Sequence, residues 1–79
     1  MARIYLDTIE KIEKERTKIQ EKVKATYSVF VEDDQKFFQL DTYGRQERKR
    51  PEKISQTIQL SEKDAKFLID LLKQTFNLE

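Results

Sequence analysis

The sequence predicts an α+β fold: an N-terminal helix, an antiparallel sheet of three to four strands, and a C-terminal helix packed on one sheet face. Three observations predict it. Apolar residues recur at helical spacing near both ends, they alternate with polar residues through the middle, and turn-forming residues separate the alternating runs. At 79 residues the chain has the length of one domain, so it is read as a single unit with a charged helix over 4–20, a sheet over about 22–60 and a helix over 61–76.

The N-terminal helix is expected because Tyr5, Ile9, Ile12 and Ile19 fall at spacings of four, three and seven in a segment dense in Glu and Lys. Arg16 interrupts the stripe. From Lys22 to Val31 the chain alternates, with Val23, Ala25, Tyr27, Val29 and Val31 on one face and Lys22, Lys24, Thr26, Ser28 and Phe30 on the other, which is the pattern of a half-buried strand. Glu32 to Gln35 is a polar connection, and Lys36 to Tyr43 resumes as a second strand, so the two form a hairpin. Counting outward from the turn pairs Val31 with Lys36 and Phe30 with Phe37. Gly44, the only glycine, is expected at positive φ where that strand ends.

Arg45 to Glu52 holds the only proline and reads as a loop or a short charged edge strand. Lys53 to Leu60 is a further strand with Ile54, Ile58 and Leu60 inward, Gln56 as the inward exception, and Lys53, Ser55, Thr57 and Gln59 outward. Ser61 then caps a helix, with Glu62 and Asp64 in its first turn. The helix carries two apolar faces: Ala65, Leu68, Ile69, Leu72 and Phe76 suit a sheet, while Phe67 and Leu71 need another partner. That partner is either the N-terminal helix or the same helix of a second subunit; the second subunit is favoured, since a domain this small has a thin core and isologous dimers are the commonest assembly. Phe67 and Leu71 are thus the expected dimer interface. Leu78-Glu79 has the composition of a cloning remnant and carries no weight here.

Chemistry is excluded mainly by what is missing. With no Cys and no His, the chain has no disulfide, no thiolate or imidazole metal ligand, and no His to activate Ser28 or Ser55. One glycine cannot build a phosphate loop. Asp33 and Asp34 suit a turn better than a carboxylate pair. No catalytic residue, metal, cofactor or small-molecule substrate is expected, and the protein is read as no enzyme. The absence of Cys and of a long apolar run points to a cytoplasmic protein with no membrane partner.

The outer sheet face stands above this background. Lys24, Phe30, Phe37 and Tyr43 lie among Thr, Ser and Gln side chains, and the net charge of +1 hides a local basic cluster of Arg45, Arg48, Lys49, Arg50 and Lys53. Single-stranded nucleic acid binders combine these features, because bases stack on aromatic rings while cations follow the phosphates. Single-stranded DNA or RNA is therefore the expected partner. The competing reading makes Phe30 and Phe37 a cross-strand pair that stabilises the hairpin, and the basic residues a solvated edge. In that case the protein is an interaction or dimerisation module with no nucleic acid role.

The order of these elements, with KFFQLDTYG leading into the basic loop and ISQTIQLSEKDAKFLIDLL making the strand-to-helix step, resembles the single-stranded-DNA-binding transcriptional coactivators, positive cofactor four and its bacterial relatives. The similar stretch runs from about Val23 to Phe76. The resemblance implies a curved antiparallel sheet backed by one helix, dimerisation through that helix, and a role in transcription regulation. It assigns strand contacts to Lys24, Phe30, Phe37 and Tyr43, and loop contacts to Arg45, Arg48, Arg50 and Lys53. The family core has a fourth strand, which here has to come from Arg45 to Glu52 or from ahead of Val23.

Overall fold

The computed structural model describes residues 1–44 and 53–79. Among them are four strands and one helix, in the order β1 (Ala2–Arg3), β2 (Ala25–Glu32), β3 (Gln35–Tyr43), β4 (Ile54–Ser61) and α1 (Glu62–Phe76). The strands form one sheet in the order β1-β4-β3-β2.

The hairpin follows from its turn. Glu32 pairs with Gln35, leaving Asp33 and Asp34 as a two-residue connection with φ of 52° and 62°. Two successive positive φ values make a type I′ turn, whose twist matches that of the flanking strands, and Asp tolerates this conformation better than most residues. The turn sets the register, which places Phe30 opposite Phe37 and Val31 opposite Lys36 as expected. The left-handed backbone expected at Gly44 is found instead at Asp33, Asp34 and Asn77.

β3 pairs antiparallel with β4, with a slip between Thr42 and Tyr43: Thr42 faces Gln56, but Tyr43 faces Ile54. Ser55 is the extra residue of this bulge. Because side chains alternate with period two, one extra residue moves Ile54 off the Ile58 and Leu60 face and onto the face of Tyr43. The inward assignment of Ile54 is therefore corrected.

Two larger expectations are corrected at the N-terminal end. Residues 4–20 contain no helix. The Ile4 amide donates to the Gln59 carbonyl at 3.0 Å and the Leu6 amide to Asp64 Oδ1 at 2.9 Å, so the first residues of the stripe continue the line of β1 instead. The remainder is short for an isolated helix, and no surface covers its stripe: Ile12 and Ile19 are 64% and 102% exposed. The second correction concerns strand direction. β2, β3 and β4 are antiparallel, but β1 pairs parallel with β4, Ala2 opposite Ile58 and Arg3 opposite Gln59, so the sheet is mixed. Among the described residues a fourth strand, β1, lies ahead of Val23; the loop or edge strand expected over Arg45 to Glu52 falls outside the described residues.

Ser61 caps α1 as expected, its hydroxyl accepting the Asp64 amide at 3.3 Å. At the other end Asn77 is left-handed, with φ 54°, and its amide donates to the Lys73 carbonyl, as does the Leu78 amide at 3.0 Å. Such a cap satisfies carbonyls that the last turn leaves open. The expected packing of the helix on the sheet holds only for its start. Ala65 and Leu68 are half-buried, whereas Ile69, Leu72 and Phe76 of the same stripe are 49%, 42% and 65% exposed.

The core is accordingly small. Among the described residues only Leu6 and Phe37 are buried apolar side chains, and none is fully buried. The radius of gyration is 15.0 Å, against about 11.6 Å for a compact domain of this length.

Candidate nucleic-acid interface

Pairing assigns the side chains of the sheet to two faces. On one lie Thr26, Ser28 and Phe30 of β2, Phe37, Gln39, Asp41 and Tyr43 of β3, and Thr57 and Gln59 of β4. On the other lie Tyr27, Val29 and Val31, then Phe38 and Leu40, then Ile58 and Leu60. The first is the polar, aromatic face expected from the alternation.

Its centre is a hydrogen-bonded ladder. Gln59 Nε2 donates to Gln39 Oε1 at 2.9 Å, Gln39 Nε2 donates to both Asp41 oxygens at 3.2 and 3.1 Å, and Thr57 Oγ1 donates to Asp41 Oδ1 at 2.7 Å. Asp41 is buried, at 7% exposure. The one carboxylate in the strip is thus beneath the surface, with donors on both oxygens, which limits the repulsion it offers an approaching phosphate.

Cations stand over rings at the two ends of β3. At the Phe37 end, the Arg3 guanidinium lies 5.7 Å from the ring centroid, and Phe30 stacks on Phe37 with centroids 5.3 Å apart and planes 20° from parallel. At the other end, Lys24 Nζ lies 5.3 Å from the Tyr43 centroid, and the Tyr43 hydroxyl shares a 3.0 Å hydrogen bond with Thr26 Oγ1. Both distances fall within the range of cation–π attraction. Lys53 is exposed next to Ile54, at the Tyr43 end.

Of the expected contact residues, Lys24, Phe30 and Tyr43 come together on one face with Phe37 between them. Phe37 is placed differently from a stacking platform: at 8% exposure it is wedged under Arg3 and beside Phe30. Phe30 and Tyr43 are half-buried and present ring surface. Arg45, Arg48, Lys49 and Arg50 lie outside the described residues. Phe67 and Leu71 are on α1, 44% and 41% exposed.

Sequence reasoning did not find Arg3. Nothing local marks it, since it reaches this face only because β1 pairs with a strand far along the chain. β1 is in turn tied down by Asp64, whose carboxylate accepts the Leu6 amide and the Ser61 hydroxyl, both at 2.9 Å. These bonds hold the Asp64 carboxyl below the usual carboxylate range. Beside it Lys63 Nζ meets Asp7 Oδ2 at 2.8 Å, an exposed pair that raises the lysine's pKa.

Among the described residues no group of three or more His, Cys, Asp or Glu could hold a metal ion, and no helix is long and apolar enough to cross a membrane. Comparison with known proteins finds no family model, no curated protein and no solved structure that matches the chain.

Proposed function

We propose that the protein is a non-enzymatic module that binds single-stranded nucleic acid on the polar face of its sheet and acts as a homodimer through α1. The observation that carries this reading is the pair of cation-capped rings, Arg3 over Phe37 and Lys24 over Tyr43, at the two ends of a strip of Thr, Ser and Gln side chains. From Phe37 to Tyr43 that strip runs roughly 20 Å along β3. Phosphates follow Arg3, Lys24 and Lys53, bases stack against Phe30 and Tyr43, and Phe37 supports the platform from beneath. The basic residues Arg45, Arg48, Lys49 and Arg50 add local positive charge to the sequence next to Tyr43. A sheet face that offers rings for stacking and cations for phosphates takes bases with little sequence preference.

Fluorescence anisotropy with labelled single-stranded DNA, single-stranded RNA and duplex tests the reading. Single strands bind more tightly than duplex, affinity falls as salt rises, and Tyr43→Ala weakens binding by about 1–3 kcal/mol, the worth of one stacked base. Absence of binding to every oligonucleotide at low salt overturns it. The second reading, an interaction module with no nucleic acid role, is favoured by the bare apolar face of the sheet, and it is what such a result leaves standing.

A further inference from the structure

The sheet face opposite the proposed nucleic acid site is apolar and uncovered. Tyr27, Val29 and Val31 are 70%, 53% and 65% exposed, and Phe38 and Leu40 are 37% and 36% exposed. Tyr27 stacks on Phe38, centroids 5.5 Å apart, and extends this surface. At its upper end Val29, Phe38 and Leu60 share an open groove of about 220 Å³ with Ala65 of α1. Beyond Leu68 the helix leaves the sheet bare and carries its own stripe, Ile69, Leu72 and Phe76, into solvent. One chain therefore presents a sheet that lacks a helix and a helix that lacks a sheet.

We infer that a second copy of this chain supplies both. The distal half of α1 from each subunit seats its Ile69, Leu72 and Phe76 stripe on the apolar sheet face of the other, in a reciprocal two-fold exchange. Three observations favour a second copy over an unrelated partner. First, the two bare surfaces are complementary and present in equal number, which is the condition for a closed isologous contact. Second, the accessible surface is 7822 Å², against about 5,000 Å² for a folded monomer of this mass. The extended residues 8–24 account for much of the excess, and the bare sheet face and the distal stripe of α1 add apolar surface to it. Third, a chain with two buried apolar side chains among its described residues lacks the interior that a free monomer needs. The inference rests on the dimer of the preceding reading and not on nucleic acid binding, since the two faces of the sheet are separate.

The chain has no cysteine, so single cysteines report on this contact cleanly. Val29→Cys and Leu72→Cys variants, both at exposed positions, are mixed, equilibrated and mildly oxidised, and the products are resolved on a non-reducing gel beside a solution mass of the wild-type chain. The exchange predicts a dimer mass for the wild type and a Val29→Cys to Leu72→Cys heterodimer that dominates over either homodimer. Ile69→Glu shifts the mass to that of a monomer. A monomeric wild type at tens of micromolar overturns both the exchange and the dimer. A dimer whose only cross-link joins Leu72→Cys to itself overturns the exchange alone and leaves a helix-to-helix dimer. Oligonucleotide binding with either outcome leaves the nucleic acid reading intact.

Discussion

The two faces of the sheet invert the usual relation between polarity and burial. The polar face holds Phe37 at 8% exposure and Asp41 at 7%, while the apolar face leaves Tyr27 and Val31 at 70% and 65%. On the polar face the side chains interlock with one another: Gln59, Gln39, Asp41 and Thr57 form a hydrogen-bonded chain, and Arg3 lies on Phe37. Hydrogen-bonded amides and hydroxyls cover each other within one layer. Apolar side chains cannot do this on a twisted sheet and need a second layer, which α1 supplies only around Ala65 and Leu68. The difference teaches that this chain is held together on its polar face and left unfinished on the other.

The sharpest way to break that comparison is at Phe37. Its replacement by Ala removes one of the two buried apolar side chains among the described residues and is expected to cost about 3–5 kcal/mol in urea unfolding. A loss below about 1 kcal/mol would show that the polar face is not where the chain is held. Val29→Ala probes the other face at smaller amplitude. If that face stays bare the change stays within about 0.5 kcal/mol; under a second copy it costs about 1.5 kcal/mol, and the unfolding midpoint then rises with protein concentration.

The smallest effect is the pH dependence at Asp64. Its carboxyl is held below the usual range in the folded chain, so the unfolded chain binds the proton more tightly. Its contribution to stability is present above the ordinary carboxylate range and is lost as pH falls through the lower, folded value, below about pH 4. The urea midpoint should fall across that window, and Asp64→Asn should flatten the fall. A profile unchanged by the substitution would show that Asp64 does not hold β1, and with it Arg3, in place.

What was legible in the sequence was local. Strict alternation, counted outward from the polar connection Glu32 to Gln35, set the hairpin register, though the connection proved to be only the two residues Asp33 and Asp34; Ser61 with Asp64 marked the start of α1. The N-terminal stripe misled because helical spacing states only which residues would share a face; the amides of Ile4 and Leu6 found acceptors in Gln59 and Asp64 instead. A two-residue strand carries no periodicity at all, so β1 and Arg3 could not be read. The polar face was legible as a set of residues, Lys24, Phe30, Phe37 and Tyr43 among them. Its burial was not, because alternation separates two faces without saying which is covered.

The clasp between Leu6 and Asp64 joins residues 58 positions apart in sequence. Ala2 and Arg3 leave the ribosome long before Ile58 and Gln59, the residues they pair with, have been made. The β2–β3 hairpin, closed by a two-residue turn, can form early, and closing the parallel edge strand over so long a loop comes last. Arg3 is then the final piece of the cationic strip to arrive, and a chain interrupted before Asp64 carries the hairpin's rings without it.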